Sequence, residues 1–308
     1  MIAKRVRLLV LRGGALGDFI ATLPALRALR ARWPDAYIEL IGYPHIARLA
    51  LEGSLVDKVD SLDRAGIAKF FALTPSFTAA QVSYIRSFDL VLCYLHDPDG
   101  SVLNNLQLAG AKQVIYGSPI VEEGSHAVDH LLKPLETLAI YESGVAPKLR
   151  LDPDQRAWGA DLLKTRGVTG RAYMIHPGSG SARKNWPVDH FEALADRLRA
   201  ERGAAPLFLL GEAEGALGER LRRYTVFTDL SLLQAAALIS ACHAYIGNDS
   251  GITHMAAALG LPVTALFGPS LPEQWGPRGE RVRIVTADSS DITRIDPETV
   301  WRALGSIG

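Results

Sequence analysis

The chain has 308 residues, of which 48% are hydrophobic and 21% charged, and its 33 Lys and Arg balance 33 Asp and Glu. That composition excludes a disordered chain, and a net charge of zero leaves no global electrostatic footprint for nucleic acid. The length suits two cores of about 150 residues each, the size at which a single core stops growing.

The start, Met1-Ile-Ala-Lys-Arg-Val-Arg, leads into an apolar run too short for a signal-peptide core. No run approaches the roughly 20 apolar residues of a spanning helix, so the sequence reads as cytoplasmic. Cys93 and Cys242 each lie in an apolar segment and read as small buried hydrophobes, which excludes a disulfide framework. Residues 1–50 hold eight Lys and Arg (Lys4, Arg5, Arg7, Arg12, Arg27, Arg30, Arg32, Arg48) against three acids (Asp18, Asp35, Glu39). A solvated helix face explains this local excess; a patch facing anionic lipid or a phosphorylated acceptor is the sharper reading.

In chain order, β-rich apolar runs near 6–11, 37–41, 57–61, 89–93 and 113–116 alternate with helical patterns near 18–32, 45–51, 64–72, 77–87 and 102–110. A longer helical pattern covers about 126–141. Turn formers from Ser143 to Asp154 mark a linker. Beyond it, strands near 172–175, 206–210, 225–228, 243–247, 262–267 and 282–286 alternate with helices near 154–166, 189–201, 213–223, 231–241 and 251–259. The pattern predicts the α/β class, with two doubly wound, Rossmann-like domains at 1–146 and 147–308. Asp296-Pro297 opens a terminal helix, expected to pack back on the N-terminal domain.

Parallel sheets place ligands beyond the carboxyl ends of their strands, so the loops there carry the chemistry. The first strand enters Arg12-Gly-Gly-Ala-Leu-Gly-Asp18, where Gly13, Gly14 and Gly17 allow close backbone approach and the helix start offers free N–H groups. Arg12 stands where a dinucleotide fingerprint needs its first glycine, and the second strand closes with Ile41-Gly42-Tyr43 in place of an acid, which disfavours NAD. A phosphate loop ending in Gly-Lys-Ser/Thr is absent. Asp18 by itself reads as a helix N-cap.

In the second half, His176-Pro-Gly-Ser-Gly-Ser-Ala-Arg-Lys184 offers backbone N–H groups around Gly180, the hydroxyls of Ser179 and Ser181, and the Lys184 ammonium, a set suited to a pyrophosphate. Strand 243–247 leads to Gly247-Asn-Asp-Ser-Gly-Ile-Thr-His254. There Asn248, Asp249, Ser250 and Gly251 stand at a positive helix end, with Thr253 and His254 in the first turn. Asp249 can accept hydrogen bonds from a sugar, or Asp249 or Ser250 only caps the helix. Asp97-Pro-Asp99 imitates a metal-binding Asp-x-Asp, but proline between two acids reads as a turn; His126 and His130 lack the glutamate of a zinc protease; no metal site is expected.

Gly17-Asp18 with Pro24, His176-Pro-Gly-Ser-Gly, Lys184-x-Trp186-Pro187, Asp249-Ser-Gly-x-Thr-His254, Leu266-Phe-Gly-Pro-Ser270 and Trp275-Gly-Pro277 together resemble glycosyltransferase family nine, the ADP-heptose:lipopolysaccharide heptosyltransferases. The resemblance implies a GT-B fold whose two domains face each other across a cleft, with donor bound by the C-terminal domain and acceptor by the N-terminal one. It implies an inverting, metal-independent transfer of heptose from a nucleotide-diphosphate donor, ADP-linked, to a saccharide or glycolipid acceptor, with no cofactor. Asp18 matches the family's catalytic base, Lys184 its donor-phosphate cation and Asp249 its donor-sugar contact. Glu212 and Glu214 both fall where the family contacts the ribose. Residues 43–125 carry no family motif, so the acceptor stays open. The expected setting is the cytoplasm, peripheral on the inner membrane, with no obligate protein partner and no nucleic acid. A nucleotide-sugar epimerase of the same architecture and a non-catalytic sugar-nucleotide binding protein are the alternatives.

Overall fold

The computed structural model describes residues 5–63 and 65–305. Lys4 of the basic segment, Arg64 at the start of the helix expected over 64–72, and residues 306–308 lie outside them. The chain divides into two compact units between Val145 and Ala146.

In the first unit the order is β1 (Arg7–Arg12), α1 (Leu16–Arg32), β2 (Tyr37–Gly42), α2 (Pro44–Glu52), β3 (Lys58–Ser61), α3 (Ala65–Ala68), α4 (Ala79–Arg86), β4 (Leu90–Tyr94), α5 (Ser101–Leu108), β5 (Val114–Tyr116) and α6 (Ala127–Leu132). The strands form one parallel sheet in the order β3-β2-β1-β4-β5. Helices cover both faces of such a sheet, so its central strands carry apolar runs without alternation. Leu8, Leu9, Val10 and Leu11 of β1 are all buried. The same double cover explains α1, whose residues from Ile20 to Leu26 are buried without a break, Pro24 included, because α6 packs on its outer side.

The helix expected over 126–141 is broken. Pro134 has no N–H and its ring clashes with the carbonyl four residues back, so α6 stops at Leu132 and the chain tightens into a 3-10 segment, Lys133–Leu138. Much of the basic excess is internally satisfied. Arg5 and Arg30 both pair with Asp57, at 2.8 and 2.6 Å, Arg7 lies 4.3 Å over the Tyr37 ring, and Arg12 is buried.

The second unit runs α7 (Pro153–Thr165), β6 (Ala172–His176), α8 (Val188–Arg202), β7 (Ala205–Leu209), α9 (Leu217–Arg220), β8 (Thr225–Phe227), α10 (Leu232–Ser240), β9 (Ala244–Asn248), α11 (Gly251–Ala258), β10 (Val263–Phe267), α12 (Pro272–Trp275), β11 (Val282–Thr286) and α13 (Pro297–Gly305). Its parallel sheet has the order β11-β10-β9-β6-β7-β8. The helix expected over 213–223 shrinks to a 3-10 turn at Glu212–Glu214 and the short α9, since Gly215 and Gly218 weaken any longer helix. Within the second unit, α13 buries Val300 and Leu304 in that unit's core. There they join Trp186, whose indole N–H donates to the Ile295 carbonyl at 2.9 Å.

Both sheets are the doubly wound, Rossmann-like halves expected of a GT-B fold. Each starts with a central strand and reverses its winding direction beside it, between β1 and β4 in one and between β6 and β9 in the other. Among the described residues no helix is long and apolar enough to cross a membrane.

Candidate active site

At the reversal point of the first unit, the loop after β1 and the residues that end β4 line a cleft of about 660 Å³. Arg12, Gly13, Gly14 and Asp18 bound it, with Tyr94, Leu95 and His96 opposite. Asp18 is the third residue of α1, not its N-cap. Its Oδ2 accepts the Ala15 N–H at 3.0 Å, satisfying one of the free donors of the helix start, and its side chain is 30% exposed, so the carboxylate keeps acceptor capacity towards solvent. Gly14 permits this placement: at φ +93° it occupies the left-handed region, and an added Cβ would stand 3.1 Å from the Asp18 carboxylate. Gly13 lies beside Leu62 and Leu95, and Gly17 is the second residue of α1.

The second unit assembles most of the remaining sequence-derived residues at its own reversal point. Lys184, from the loop after β6, donates to Asp249 Oδ2 at 2.7 Å, and Asp249 follows β9. Ser250 is the N-cap of α11, its hydroxyl accepting the Thr253 N–H, which leaves Asp249 outside the helix and free of the capping task. Burial alone would raise the Asp249 carboxyl, only 8% exposed. The His254 ring 3.9 Å away, hydrogen bonds from Lys184 and Ser270, and the Lys184 charge outweigh it and hold the pKa at about 2. A fixed anion and a cation that is one-third exposed thus lie beside the positive end of α11.

Several residues of the set hold the frame. Asn248 is wholly buried: its amide donates to the Pro177 carbonyl at 2.7 Å and its oxygen accepts the Trp186 N–H at 3.1 Å, tying both ends of the 176–187 loop to β9. The Thr253 hydroxyl is likewise buried and donates to the Asn248 carbonyl at 2.5 Å. Ser179 bonds within the loop, to Asn185 at 2.6 Å, while Gly180 and Ser181 are exposed at its tip.

Of the two glutamates, Glu214 turns inward. Its Oε2 accepts the Gly211 N–H at 2.9 Å and its carboxyl lies over Gly178, where any Cβ would collide with it; Glu212 is exposed. Burial keeps the His176 imidazole below its ordinary value, and the neutral ring lies 2.9 Å from the Leu209 carbonyl through Nδ1.

The acids that imitate a metal motif are engaged elsewhere. Both Asp97 oxygens accept backbone N–H groups of α5, from Val102 and Leu103 at 2.9 Å each, and Asp99 accepts from Ser101.

A family model, glycosyltransferase family 9 (heptosyltransferase), matches residues 104–299. The chain belongs to this family. Lipooligosaccharide heptosyltransferase 2 of Haemophilus influenzae is 32% identical over 163 residues, a match spanning 48% of this chain and about half, 47%, of that relative. Lipopolysaccharide heptosyltransferase 2 of Escherichia coli is 25% identical, with 91% of this chain and 88% of the relative covered. The solved structure of E. coli ADP-heptose lps heptosyltransferase II superposes with a TM-score of 0.77 at 19% identity, covering 98% of each chain, and shows the shared fold. Family membership makes the protein a glycosyltransferase.

Two groups of the site escaped the sequence reading. Ser270, visible only as the end of Leu266-Phe-Gly-Pro-Ser270, hydrogen bonds Asp249 from beyond β10. Arg12, read as a substitute for a fingerprint glycine and as one cation of the basic excess, is buried beside Asp18; a charge directly after the apolar run Leu8–Leu11 was the available signal.

Proposed function

We propose that the protein transfers heptose from ADP-heptose to a hydroxyl of a lipopolysaccharide-type saccharide, with inversion and without a metal ion. The observation that carries this reading is the Lys184–Asp249 pair beside the start of α11, at the reversal point of the second sheet. An ammonium with spare N–H donors and a helix end suit a diphosphate, and a fixed carboxylate suits sugar hydroxyls. The names of the relatives support the sugar and the acceptor class, and that of the solved E. coli structure supports the ADP-linked donor.

In this mechanism the acceptor oxygen attacks the anomeric carbon from the face opposite the leaving group. Its proton passes to the Asp18 carboxylate, a new C–O bond forms, and the bond from the anomeric carbon to the diphosphate oxygen breaks to release ADP. Lys184 and the N–H groups at Ser250 and Gly251 stabilise the negative charge that grows on the departing diphosphate, which is the work a divalent ion performs in metal-dependent transfer. Glu214, folded over Gly178, is the carboxylate for the ribose. A glycolipid acceptor places the reaction at the cytoplasmic face of the inner membrane.

The test is Asp18→Asn, which keeps the shape and the Ala15 contact but cannot take the proton. ADP-heptose binding, read by calorimetry, should stay within about twofold of wild type while kcat falls by about 10²- to 10⁴-fold. Wild-type turnover in this variant at unchanged Tm would refute the base assignment.

A further inference from the structure

Arg12 ends β1, the central strand of the first sheet, with its side chain only 2% exposed. The preceding four residues of the strand are apolar and buried, and a buried guanidinium is costly unless its surroundings offset its desolvation. Burial indeed lowers its hold on its proton, with the charge of Asp18 and the neighbouring Tyr94 acting the other way. A cation kept only for stability would meet a carboxylate at bonding distance. Here the carboxylate that Arg12 faces, Asp18 Oδ1, is 3.9 Å away.

The short contacts go elsewhere. Nε donates to the Thr22 hydroxyl at 2.9 Å, Nη2 donates to the Asp18 main-chain carbonyl at 3.0 Å, and the Thr22 hydroxyl donates to that same carbonyl at 2.8 Å. The three groups close a ring across the turn of α1 from Asp18 to Thr22. The Thr22 hydroxyl is used as both acceptor and donor, so removing either partner leaves a buried group unsatisfied.

We propose that Arg12, with Thr22, is a positioning residue that fixes the turn carrying Asp18 so that its free carboxylate face meets the acceptor hydroxyl. This rests on the reading of Asp18 as the base. The ring grips the carbonyl of Asp18 and leaves the carboxylate out, so the grip persists when the carboxylate gains its proton. Arg12 also lines the cleft with Asp18, and its guanidinium stands 3.9 Å from Asp18 Oδ1, too far to take up the lone pairs of that oxygen.

The experiment compares Arg12→Met, Arg12→Lys, Thr22→Val and Asp18→Asn, singly and combined, in kcat, in KM for ADP-heptose and in Tm. Arg12→Met should lower kcat roughly 10- to 100-fold, as expected for the loss of charge-assisted hydrogen bonds, and leave the donor KM within about twofold. Arg12→Lys should recover part of kcat, and Thr22→Val should show the same kcat-only loss in milder form. In the Asp18→Asn background, neither Arg12→Met nor Thr22→Val should lower kcat further, because both act through the carboxylate already lost. Losses that multiply with Asp18→Asn, or that appear in KM alone, overturn the inference. Should Arg12→Met fail to fold, Thr22→Val decides: an unchanged kcat there overturns it. An active Asp18→Asn refutes the base assignment itself, whereas an inactive Asp18→Asn beside fully active Arg12→Met and Thr22→Val refutes only the positioning role.

Discussion

Replacing Lys184 by alanine removes the 2.7 Å contact to a carboxylate that is 8% exposed, and two separate effects follow. The first is on stability. Asp249 is held at about 2 against an ordinary 3.8, a difference worth about 2 kcal/mol, and Lys184 supplies it jointly with His254 and Ser270. Its removal should therefore cost about 1–2 kcal/mol, or about 2–8 °C in Tm for a unit of this size. A carboxyl whose folded value is depressed contributes stability that is complete above the unfolded value and is lost as pH falls through about 2. The wild-type advantage over Lys184→Ala should thus be full at neutral pH and vanish in strong acid. The second effect is on donor chemistry. A charge-assisted hydrogen bond to the diphosphate, strengthened as charge grows on the leaving group, should lower kcat/KM by roughly 10- to 150-fold, with part of the loss in kcat. Differential scanning calorimetry, ADP titration and steady-state kinetics on one preparation read both effects. The double variant Lys184→Ala/Asp249→Asn separates them, because neutralising the stranded carboxylate should return much of the Tm and none of the activity. Unchanged Tm, ADP affinity and kcat in Lys184→Ala would show that the ammonium points into solvent and that the donor site is misplaced.

Two further outcomes are expected. Asn248→Ala should lower Tm by several degrees, because the Pro177 carbonyl and the Trp186 N–H lose a buried partner, and should raise the donor KM more than it lowers kcat, since the loop carrying Lys184 is released; kinetics beside a melting curve check this. Transfer should survive incubation with EDTA, and loss of activity restored by Mg²⁺ or Mn²⁺ would refute the assignment of the leaving-group charge to Lys184 and α11.

How much of this was legible in the sequence follows from what each signal encodes. Alternating apolar runs and helical patterns gave both sheets, because a strand buried on two faces has to be continuously apolar and the crossover helices fix the spacing. The glycine- and serine-rich loops were legible because parallel sheets leave their ligand sites at strand ends. Direction was not legible. Asn248 and Asp249 are adjacent polar residues at the end of β9 and look equivalent as letters, yet Asn248 is folded into the protein with both ends of its amide used, while Asp249 faces Lys184, His254 and Ser270. Glu212 and Glu214 differ in the same way, and only the backward hydrogen bond to Gly211 tells them apart. The break at Pro134 was visible as a residue, but its effect was lost in a strongly apolar helical pattern.

The same distinction decides which carboxylate can move a proton. Both units set an aspartate close to the start of a helix after a central strand, and by sequence either could be the base. Asp249 is surrounded by three hydrogen-bond donors and held at about 2, so it gives up proton affinity for a fixed negative charge and is a poor acceptor of a hydroxyl proton. Asp18 spends one oxygen on a single backbone N–H, stays partly open to its cleft, and has the nearby guanidinium directed at its carbonyl instead of its carboxylate. In the proposed mechanism the division of labour between base and sugar anchor is set by how many donors each carboxylate meets, a property of the folded loops that adjacent residues in the sequence do not display.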